Sequence, residues 1–271
     1  MRQTEHRGCR IAYDVRGTGP PVLWIQGVGV RGTGWQPQVD ELAGHFTCLW
    51  FDNRGIGQSQ PVGAPVTVAQ LADDARVLLD AAGWESAHIV GHSLGGPIAL
   101  QLALTARPRV RSLALLCTFG SGRAAAPLTP RMLWSGLGSR VGTRRMRRHA
   151  FLHLVMPPSA LAQLDRDALA SRLAPLFGHD LADQPPIAGA QLRAMRAADL
   201  TPRLGELAGV PTLVVSGAHD PIAPPRLGRE LAAGIPGARY VEFPNASHGL
   251  PIQVPDRVNA LLLEHFGSAP A

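Results

Sequence analysis

The amino-acid sequence predicts an α/β protein, in which helices flank a mostly parallel sheet and a helical segment is inserted after the sixth strand. Short apolar runs alternate with helical patterns over residues 1–119, the alternation stops over residues 120–198, and it resumes from residue 199. Such alternation is typical of strand–helix–strand units, whose strands pair in parallel. The interruption predicts an insertion into that fold.

The predicted sheet has eight strands. The first two, at residues 4–6 and 10–15, are close in sequence and are expected to form an antiparallel entry to the sheet. The other six are apolar runs of strand length that should pair in parallel. They lie at residues 22–25, 46–51, 87–90, 110–117, 212–215 and 240–243.

A helix is predicted between the second and third parallel strands, because apolar residues recur at helical spacing over residues 68–82. Thr67 and Gln70 fit a capping box at its start. Gly83 fits a left-handed residue that ends it.

Residues 120–198 contain two or three short helical stretches interrupted by proline, glycine and arginine, without a clear strand. A segment of this size and composition makes a poor core alone. We therefore expect it to lie over the sheet as a helical cap, on a core formed by residues 1–119 and 199–271.

Composition excludes several classes of protein. The 271 residues are 45% apolar and 17% charged, which predicts a folded protein with a sizeable core. All 26 basic residues are arginine, which excludes Schiff-base lysine chemistry, pyridoxal phosphate enzymes and a P-loop. The net charge of +6 arises within residues 121–200, which hold 11 arginines and 5 acidic residues, since the rest holds 15 of each.

Cys9, Cys48 and Cys117 are widely spaced in mostly apolar surroundings, which argues against a disulfide framework or a thiolate metal site. The first residues contain no apolar run of signal-peptide length, and no later run is long enough for a membrane span. The sequence thus predicts a cytoplasmic protein without integral membrane contact, and it leaves the oligomeric state open.

Residues 89–96 read Ile-Val-Gly-His-Ser-Leu-Gly-Gly, which places Ser93 between glycines at a predicted strand-to-helix corner. A G-x-S-x-G turn of this kind projects the serine hydroxyl out of the sheet, and the helix start supplies a backbone N–H. A glycine-rich turn without chemistry is the alternative. A serine nucleophile also needs a base and a group that orients the base.

Asp220 and His248 follow the last two predicted strands. Either residue alone is more typical of a turn or a surface. Their order along the chain, Ser93 then Asp220 then His248, is the order of a Ser-His-Asp triad on an α/β-hydrolase sheet. Three such residues at predicted strand ends favour the catalytic interpretation.

With these motifs the sequence resembles the α/β-hydrolase family over nearly the whole chain outside residues 120–198. Residues 52–59 look like the family's D-x-R-G-x-G-x-S loop, and residues 217–220 look like its acid loop. The C-terminal third is similar to small esterases, enol-lactonases and cofactor-free haloperoxidase-like enzymes. The resemblance implies an oxyanion hole formed by the N–H groups of Val28 and Leu94. The sequence departs from the family at Gln26, where a histidine is usual, so the hydrogen bonds that support the hole must differ.

A rival motif occupies residues 27–32, which read G-x-G-x-x-G after a strand, with Asp52 a further 20 residues on. This is the spacing of a dinucleotide-binding fingerprint. The fingerprint needs a helix that opens within the glycines, and Gly34 and Pro37 oppose one. A dinucleotide-dependent oxidoreductase is therefore the remote alternative.

Several other patterns favour structural roles. His149 and His153 stand four residues apart without a third metal ligand, so a zinc site is disfavoured. His92 and His219 each neighbour a proposed catalytic residue, and each side chain is expected to point away from that neighbour. Arginines spaced along one predicted helix indicate a solvated face, with interfacial contact or an anionic substrate as alternatives, and no aromatic platform for nucleic acid accompanies them. These are Arg140, Arg144 and Arg148, with Arg145 and Arg147 beside them.

The sequence thus predicts a serine hydrolase that cleaves a hydrophobic carboxylic ester or lactone through an acyl-enzyme, with no metal or cofactor required. Carbon–carbon bond hydrolysis and peracid formation could use the same three residues. Apolar side chains of the insertion are expected either to line the substrate pocket or simply to pack onto the sheet. The substrate-binding candidates are Trp134, Phe151, Met156 and Phe177.

Overall fold

The computed structural model describes residues 1–125, 138 and 141–269 and contains one eight-stranded sheet with the order β1-β2-β4-β3-β5-β6-β7-β8. Strand β2 pairs antiparallel with β1 and with β4, and every other pairing is parallel. The predicted fold class and the antiparallel entry are therefore confirmed. The strands are β1 (Arg2–His6), β2 (Cys9–Arg16), β3 (Pro21–Ile25), β4 (Thr47–Phe51), β5 (Ala87–His92), β6 (Val110–Leu116), β7 (Thr212–Gly217) and β8 (Arg239–Phe243).

Helices connect the strands. The core helices are α1 (Gln36–Leu42), α2 (Val68–Ala81), α3 (Gly95–Thr105), α8 (Pro225–Gly234), α9 (Leu250–Gln253) and α10 (Pro255–Gly267). Between β6 and β7 lie α4 (Arg144–Val155), α5 (Pro158–Gln163), α6 (Arg166–Phe177) and α7 (Ala188–Ala197).

Helix α2 confirms the predicted helix with one difference. The Thr67 hydroxyl accepts the N–H of Gln70 at 3.0 Å, and Gly83 is left-handed at φ 71°. The Gln70 side chain does not complete the capping box. Its amide donates instead to Asp74 at 3.0 Å, because Asp74 lies at the centre of a buried polar network.

Hydrophobic cores cover both faces of the sheet, as a strand period of two requires. Along β3, Leu23 and Ile25 face the core formed with α2, α3 and α8, whereas Val22 and Trp24 face the core formed with α1 and α10. Both faces of the central strands are thereby removed from water, whereas the edge strands β1 and β8 stay partly exposed. The sheet and its two cores hold the loops at the carboxyl ends of the parallel strands. These loops are where α/β folds place their binding and catalytic sites.

The insertion, residues 120–198, has a small core of its own. Its apolar residues cluster around Leu152, Leu173 and Leu181. Val30, from the loop after β3, and Ile252, from α9, pack against them. Ser121 and Asp199 form an antiparallel bridge, so the two ends of the insertion meet. In the described ranges, no helix has the length and apolar character needed to cross a membrane.

Candidate active site

Ser93 lies at the corner between β5 and α3 with a backbone φ of 53°. A non-glycine residue in this region costs about 1–3 kcal/mol and persists only where its surroundings hold it. The Ser93 N–H donates to the Leu116 carbonyl at 3.1 Å, and its carbonyl accepts the Thr118 hydroxyl at 2.7 Å and the Gly96 N–H at 2.9 Å. These three bonds fix the corner.

The glycines on either side of Ser93 are required by close backbone packing. A Cβ atom on Gly91 would overlap the carbonyl of Gly95, and one on Gly95 would overlap the carbonyl of Ile25. Larger residues would force the turn open. The G-x-S-x-G pattern is thus explained by geometry as a sharp strand-to-helix turn.

Asp220 and His248 are brought together although they are 28 residues apart in the chain. The Nδ1 of His248 donates to Oδ2 of Asp220 at 2.8 Å, and both side chains are buried. The other carboxyl oxygen accepts the N–H groups of Ile222 and Ala223 at 2.8 and 2.9 Å. This arrangement fixes the orientation of the carboxyl group and leaves Nε2 of His248 outside the contact with Asp220.

His92 links Ser93 to His248 through a side-chain contact that the sequence does not predict. Its Nε2 donates to the His248 carbonyl at 2.8 Å, and the two ring centroids are 4.9 Å apart. Burial, reinforced by the neighbouring His248, lowers the pKa of His92 to about 3, so this ring stays neutral. His219, by contrast, is exposed.

The corner at Ser93 and the loop that carries His248 therefore lie side by side. In the part of the chain that the structure describes, no hydrogen bond joins the Ser93 hydroxyl to His248. Hydrogen bonds between catalytic groups are often long without substrate and tighten when it binds. The arrangement places an imidazole, oriented by a buried carboxyl group, beside the corner that carries the Ser93 hydroxyl.

The two oxyanion candidates differ in their support. Leu94 is buried at the start of α3, whereas Val28 is half-buried in the loop after β3. Among the hydrogen bonds of the described residues, none uses the N–H of Val28 or of Leu94 as a donor. Both N–H groups therefore remain available for an acceptor that a substrate would bring.

Gln26 replaces the family's histidine and supports the loop in its own way. Its Oε1 accepts the N–H of Gly27 at 3.0 Å, and its backbone carbonyl accepts the side-chain amide of Asn53 at 3.0 Å. The departure from the family pattern at this position thus leaves the turn hydrogen-bonded.

Three of the four substrate-binding candidates lie in the core of the insertion. Phe151 and Phe177 make an edge-to-face contact with centroids 5.2 Å apart, and Met156 is buried beside them. Trp134 lies outside the described residues. The cluster reaches the candidate site through Val155, whose carbonyl accepts the N–H of Gly249 at 2.8 Å, next to His248.

One group of side chains in the described ranges has the proximity of metal ligands. The ligand atoms of His92, Cys117 and His248 lie within 4.8 Å of one another. Protein hydrogen bonds already engage Nε2 of His92 and Nδ1 of His248. Burial and the nearby Asp220 raise the pKa of Cys117 well above its usual value, which disfavours the thiolate that a metal needs.

Members of each remaining sequence pattern make contacts within the protein. His149 contacts Asp167 at 2.9 Å, and Arg144 and Arg145 pair with aspartates at the surface, whereas Arg140 lies outside the described residues. The glycine-rich loop does not open a helix, since a 3-10 turn follows it and α1 begins only at Gln36. Asp52 is buried and accepts the N–H of Gly32 at 2.9 Å, so it holds the loop rather than facing a ligand.

Two residues that sequence reasoning missed contact the same loop. Gln191 and His179, both in the insertion, hydrogen-bond to the N–H and the carbonyl of Gly29. No motif marks them, and they are 162 and 150 residues from Gly29 in the chain. Only the docking of the insertion brings them to the site.

The family model for the alpha/beta hydrolase fold matches residues 20–255. A relative named carbamate hydrolase RutD, from Azorhizobium caulinodans, is 32% identical over 94% of each chain. A protein named non-heme bromoperoxidase BpoC, from Mycobacterium tuberculosis, is 31% identical over 96% of this chain and 99% of its own. The solved enol-lactonase of Burkholderia xenovorans superposes with a TM-score of 0.81 at 28% identity, covering 98% of this chain and 100% of that one.

These matches extend across the sheet, the insertion and the loops that carry the candidate residues. They confirm the coarse prediction of a hydrolase, while the relatives differ among themselves in the reaction their names describe. The chain belongs to the α/β-hydrolase family.

Proposed function

We propose that this protein is a serine hydrolase that cleaves a carboxylic ester or lactone through an acyl-enzyme on Ser93. The observation that carries the proposal is the hydrogen bond between Asp220 and His248 at 2.8 Å beside the strained corner of Ser93. A hydroxyl is a weak nucleophile until a base takes its proton, and this pair supplies an oriented base.

In the proposed mechanism, Nε2 of His248 takes the proton of Ser93 as the oxygen attacks the acyl carbon. Asp220 keeps the proton on Nδ1 and stabilises the imidazolium that forms. The N–H groups of Val28 and Leu94 receive the oxyanion, each worth about 3 kcal/mol if they behave as measured oxyanion donors do. The ester bond then breaks, and the alcohol leaves with the proton from His248.

Water completes the cycle. His248 takes a proton from the water as its oxygen attacks the acyl-enzyme, and the acid is released as the proton returns to Ser93. In a lactone, the leaving hydroxyl stays attached to the acid. Apart from the substrate and water, the proposed steps use Ser93, Asp220, His248 and the two backbone N–H groups.

The insertion is the proposed cap and the source of substrate selectivity. Phe151, Met156 and Phe177 belong to an apolar cluster. Val30, in the loop after β3, and Ile252, in α9, pack against this cluster. With Trp134, the two phenylalanines and the methionine are the side chains that we propose to bind a hydrophobic acyl or alcohol group. Pockets of this kind are typically apolar with a few fixed polar groups.

Two relatives favour particular substrates and reactions. The enol-lactonase neighbour supports a lactone substrate. The relative named bromoperoxidase supports peracid formation as the second candidate, in which hydrogen peroxide rather than water attacks the acyl-enzyme. Both reactions share the first half of the mechanism, so one variant tests both.

The test is hydrolysis of an aryl ester series of increasing acyl chain length by the parent and by Ser93→Ala. Ser171→Ala, which changes an exposed serine in α6, is the matched control. We expect Ser93→Ala to lose a factor on the order of 10⁶ in kcat while Ser171→Ala keeps the parental rate. Full turnover by Ser93→Ala would remove the nucleophile. Failure of every ester, with Ser93 still labelled by a fluorophosphonate, would move the search to lactones.

A further inference from the structure

The loop after β3, residues 27–33, is held by the insertion rather than by the sheet alone. The Arg31 N–H donates to the Phe177 carbonyl at 3.2 Å, and the Thr33 hydroxyl donates to the Leu176 carbonyl at 3.0 Å. Two further contacts from the insertion, however, are made by side chains. Both are at Gly29, the residue after Val28.

Gln191 and His179 form hydrogen bonds with the two backbone polar groups of Gly29. The Gly29 N–H donates to Oε1 of Gln191 at 2.9 Å, and Nε2 of His179 donates to the Gly29 carbonyl at 3.0 Å. The other ring nitrogen of His179 lies 2.9 Å from the Asp180 carbonyl, so both ring nitrogens face backbone carbonyls. The two peptide planes that follow Val28 are thereby fixed from the insertion.

The burial of the Gln191 side chain has a cost in free energy. Its side chain is fully buried, and among the described residues no acceptor meets its Nε2. An unpaired buried amide donor costs about 1–3 kcal/mol, whereas an apolar side chain of the same size would avoid that cost. Stability alone therefore does not account for a glutamine here.

The geometry points to Gln191 and His179 as positioning residues that aim the Val28 N–H at the oxyanion. This inference rests on the proposed function, because it needs the acyl transfer at Ser93. Leu94, the other donor, is positioned by the corner between β5 and α3. One donor thus belongs to the sheet, and the other depends on how the insertion is docked.

Placement of this kind has a large effect on rate. Loss of one oxyanion donor costs about 10²–10³ in kcat, and a misplacement of about 1 Å can cost about 10²-fold. A donor that has lost part of its support should cost less than a donor that has been removed. The insertion then controls turnover as well as access to the site.

The test uses two variants that remove one contact each and keep the volume. Gln191→Met removes the acceptor of the Gly29 N–H. His179→Phe removes the donor to the Gly29 carbonyl and keeps an aromatic ring against Phe177, whose centroid is 6.4 Å away. Gln163→Met, at an exposed glutamine in α5, is the matched control, and His179→Gln restores a donor.

Three measurements are made on each full-length variant: kcat and KM for an aryl ester, the rate at which a fluorophosphonate labels Ser93, and amide exchange over residues 26–33. We expect each variant to lower kcat and the labelling rate about 10-fold and the pair of changes to lower them about 100-fold, with KM within about twofold. Exchange over the loop should rise in both. Gln163→Met should match the parent, and His179→Gln should recover most of the rate.

Other outcomes overturn the inference. Parental kcat and labelling despite faster exchange would show that Val28 does not need this support. A raised KM with unchanged kcat would assign the contacts to substrate binding. An equal loss in Gln163→Met would indicate general damage to the insertion. If the parent is not labelled and Ser93→Ala keeps its turnover, the proposed function fails, and the inference fails with it in a recognisably different way.

Discussion

The core and the insertion both pair arginine with aspartate, but in opposite surroundings. In the core, Arg54 and Asp74 are 0% and 1% exposed, and their atoms meet at 2.9 and 2.6 Å. In the insertion, Arg145 and Asp167 are 72% and 41% exposed and meet at 2.8 Å. Nearly equal distances therefore describe one pair within the core and one pair in solvent.

The difference shows how each region is held in a single arrangement. Arg54 also donates to the carbonyls of His6 and Val62, so it ties β1 and the loop after β4 to helix α2. Such a network has few alternative arrangements. The insertion instead has a small core and a charged exterior, and it touches the site through a few hydrogen bonds at Gly29 and Gly249. We therefore expect changes in the core to affect chemistry and folding, and changes at the insertion's surface to affect little.

After the loss of the nucleophile itself, the largest expected effect lies on the core side, at Asp220. Asp220→Asn keeps an oxygen for the N–H groups of Ile222 and Ala223 but places an amide against Nδ1 of His248. The imidazole would then adopt the wrong tautomer, and we expect kcat to fall about 10⁴-fold. Ester hydrolysis measures this loss, and Asp256→Asn, at an exposed aspartate, is the control. A fall of less than about tenfold would contradict the assigned role.

The next effect is on stability, at the buried ion pair. Arg54→Met leaves the Asp74 carboxylate buried without its main partner, which typically costs about 3–5 kcal/mol. Urea unfolding should therefore show a lower free energy of unfolding, and the protein should precipitate or lose activity at lower temperature. An Arg54→Met protein within about 1 kcal/mol of the parent would mean that the buried network is not a main support of the core.

Acid should weaken the core through its buried histidines. Burial lowers the pKa of His88 to about 4, and burial also lowers the pKa of His265. Below pH 6.5 the unfolded chain binds a proton at His88 before the folded chain does, so stability falls as pH falls from 6.5 to 4, with a slope on the order of 1.4 kcal/mol per pH unit. His265 acts in the same direction.

Unfolding measured from pH 7 to pH 4 tests this linkage. His88→Asn should reduce the slope, since the neutral side chain that replaces the imidazole binds no proton in either state. Its amide retains a polar partner for the Ser112 hydroxyl, which His88 contacts at 2.8 Å. His219→Asn, at an exposed histidine, is the matched control. An unchanged slope in His88→Asn would exclude this residue as a source of the acid sensitivity.

The sequence predicts the core well because its signals are local. Apolar runs mark the strands of the sheet, the Thr67 cap marks the start of α2, and the spacing of glycines around Ser93 marks a turn that backbone packing demands. Asp220 and His248 follow their strands directly. In a parallel sheet such positions converge at one edge, so topology alone brings them close.

The insertion is predicted less well because its contacts depend on docking. Gln191 and His179 carry no motif, and nothing in their neighbours indicates that they meet Gly29. The contact of His92 with His248 was missed because the direction of a side chain at a sharp turn depends on three-dimensional packing. Long-range contacts between a helical insertion and a loop leave no periodic pattern in either segment.

The smallest expected effect completes the comparison, at the surface pair of the insertion. Arg145→Met removes a partner of Asp167, yet Asp167 remains hydrated and in contact with His149 at 2.9 Å. Exposed pairs are typically worth about 0–1 kcal/mol because water and salt screen them. We therefore expect the free energy of unfolding and kcat to stay close to parental values, in contrast to the same substitution at Arg54. A loss of several kcal/mol in Arg145→Met would show that the insertion's charged surface is structural, and the distinction between the two regions would no longer hold.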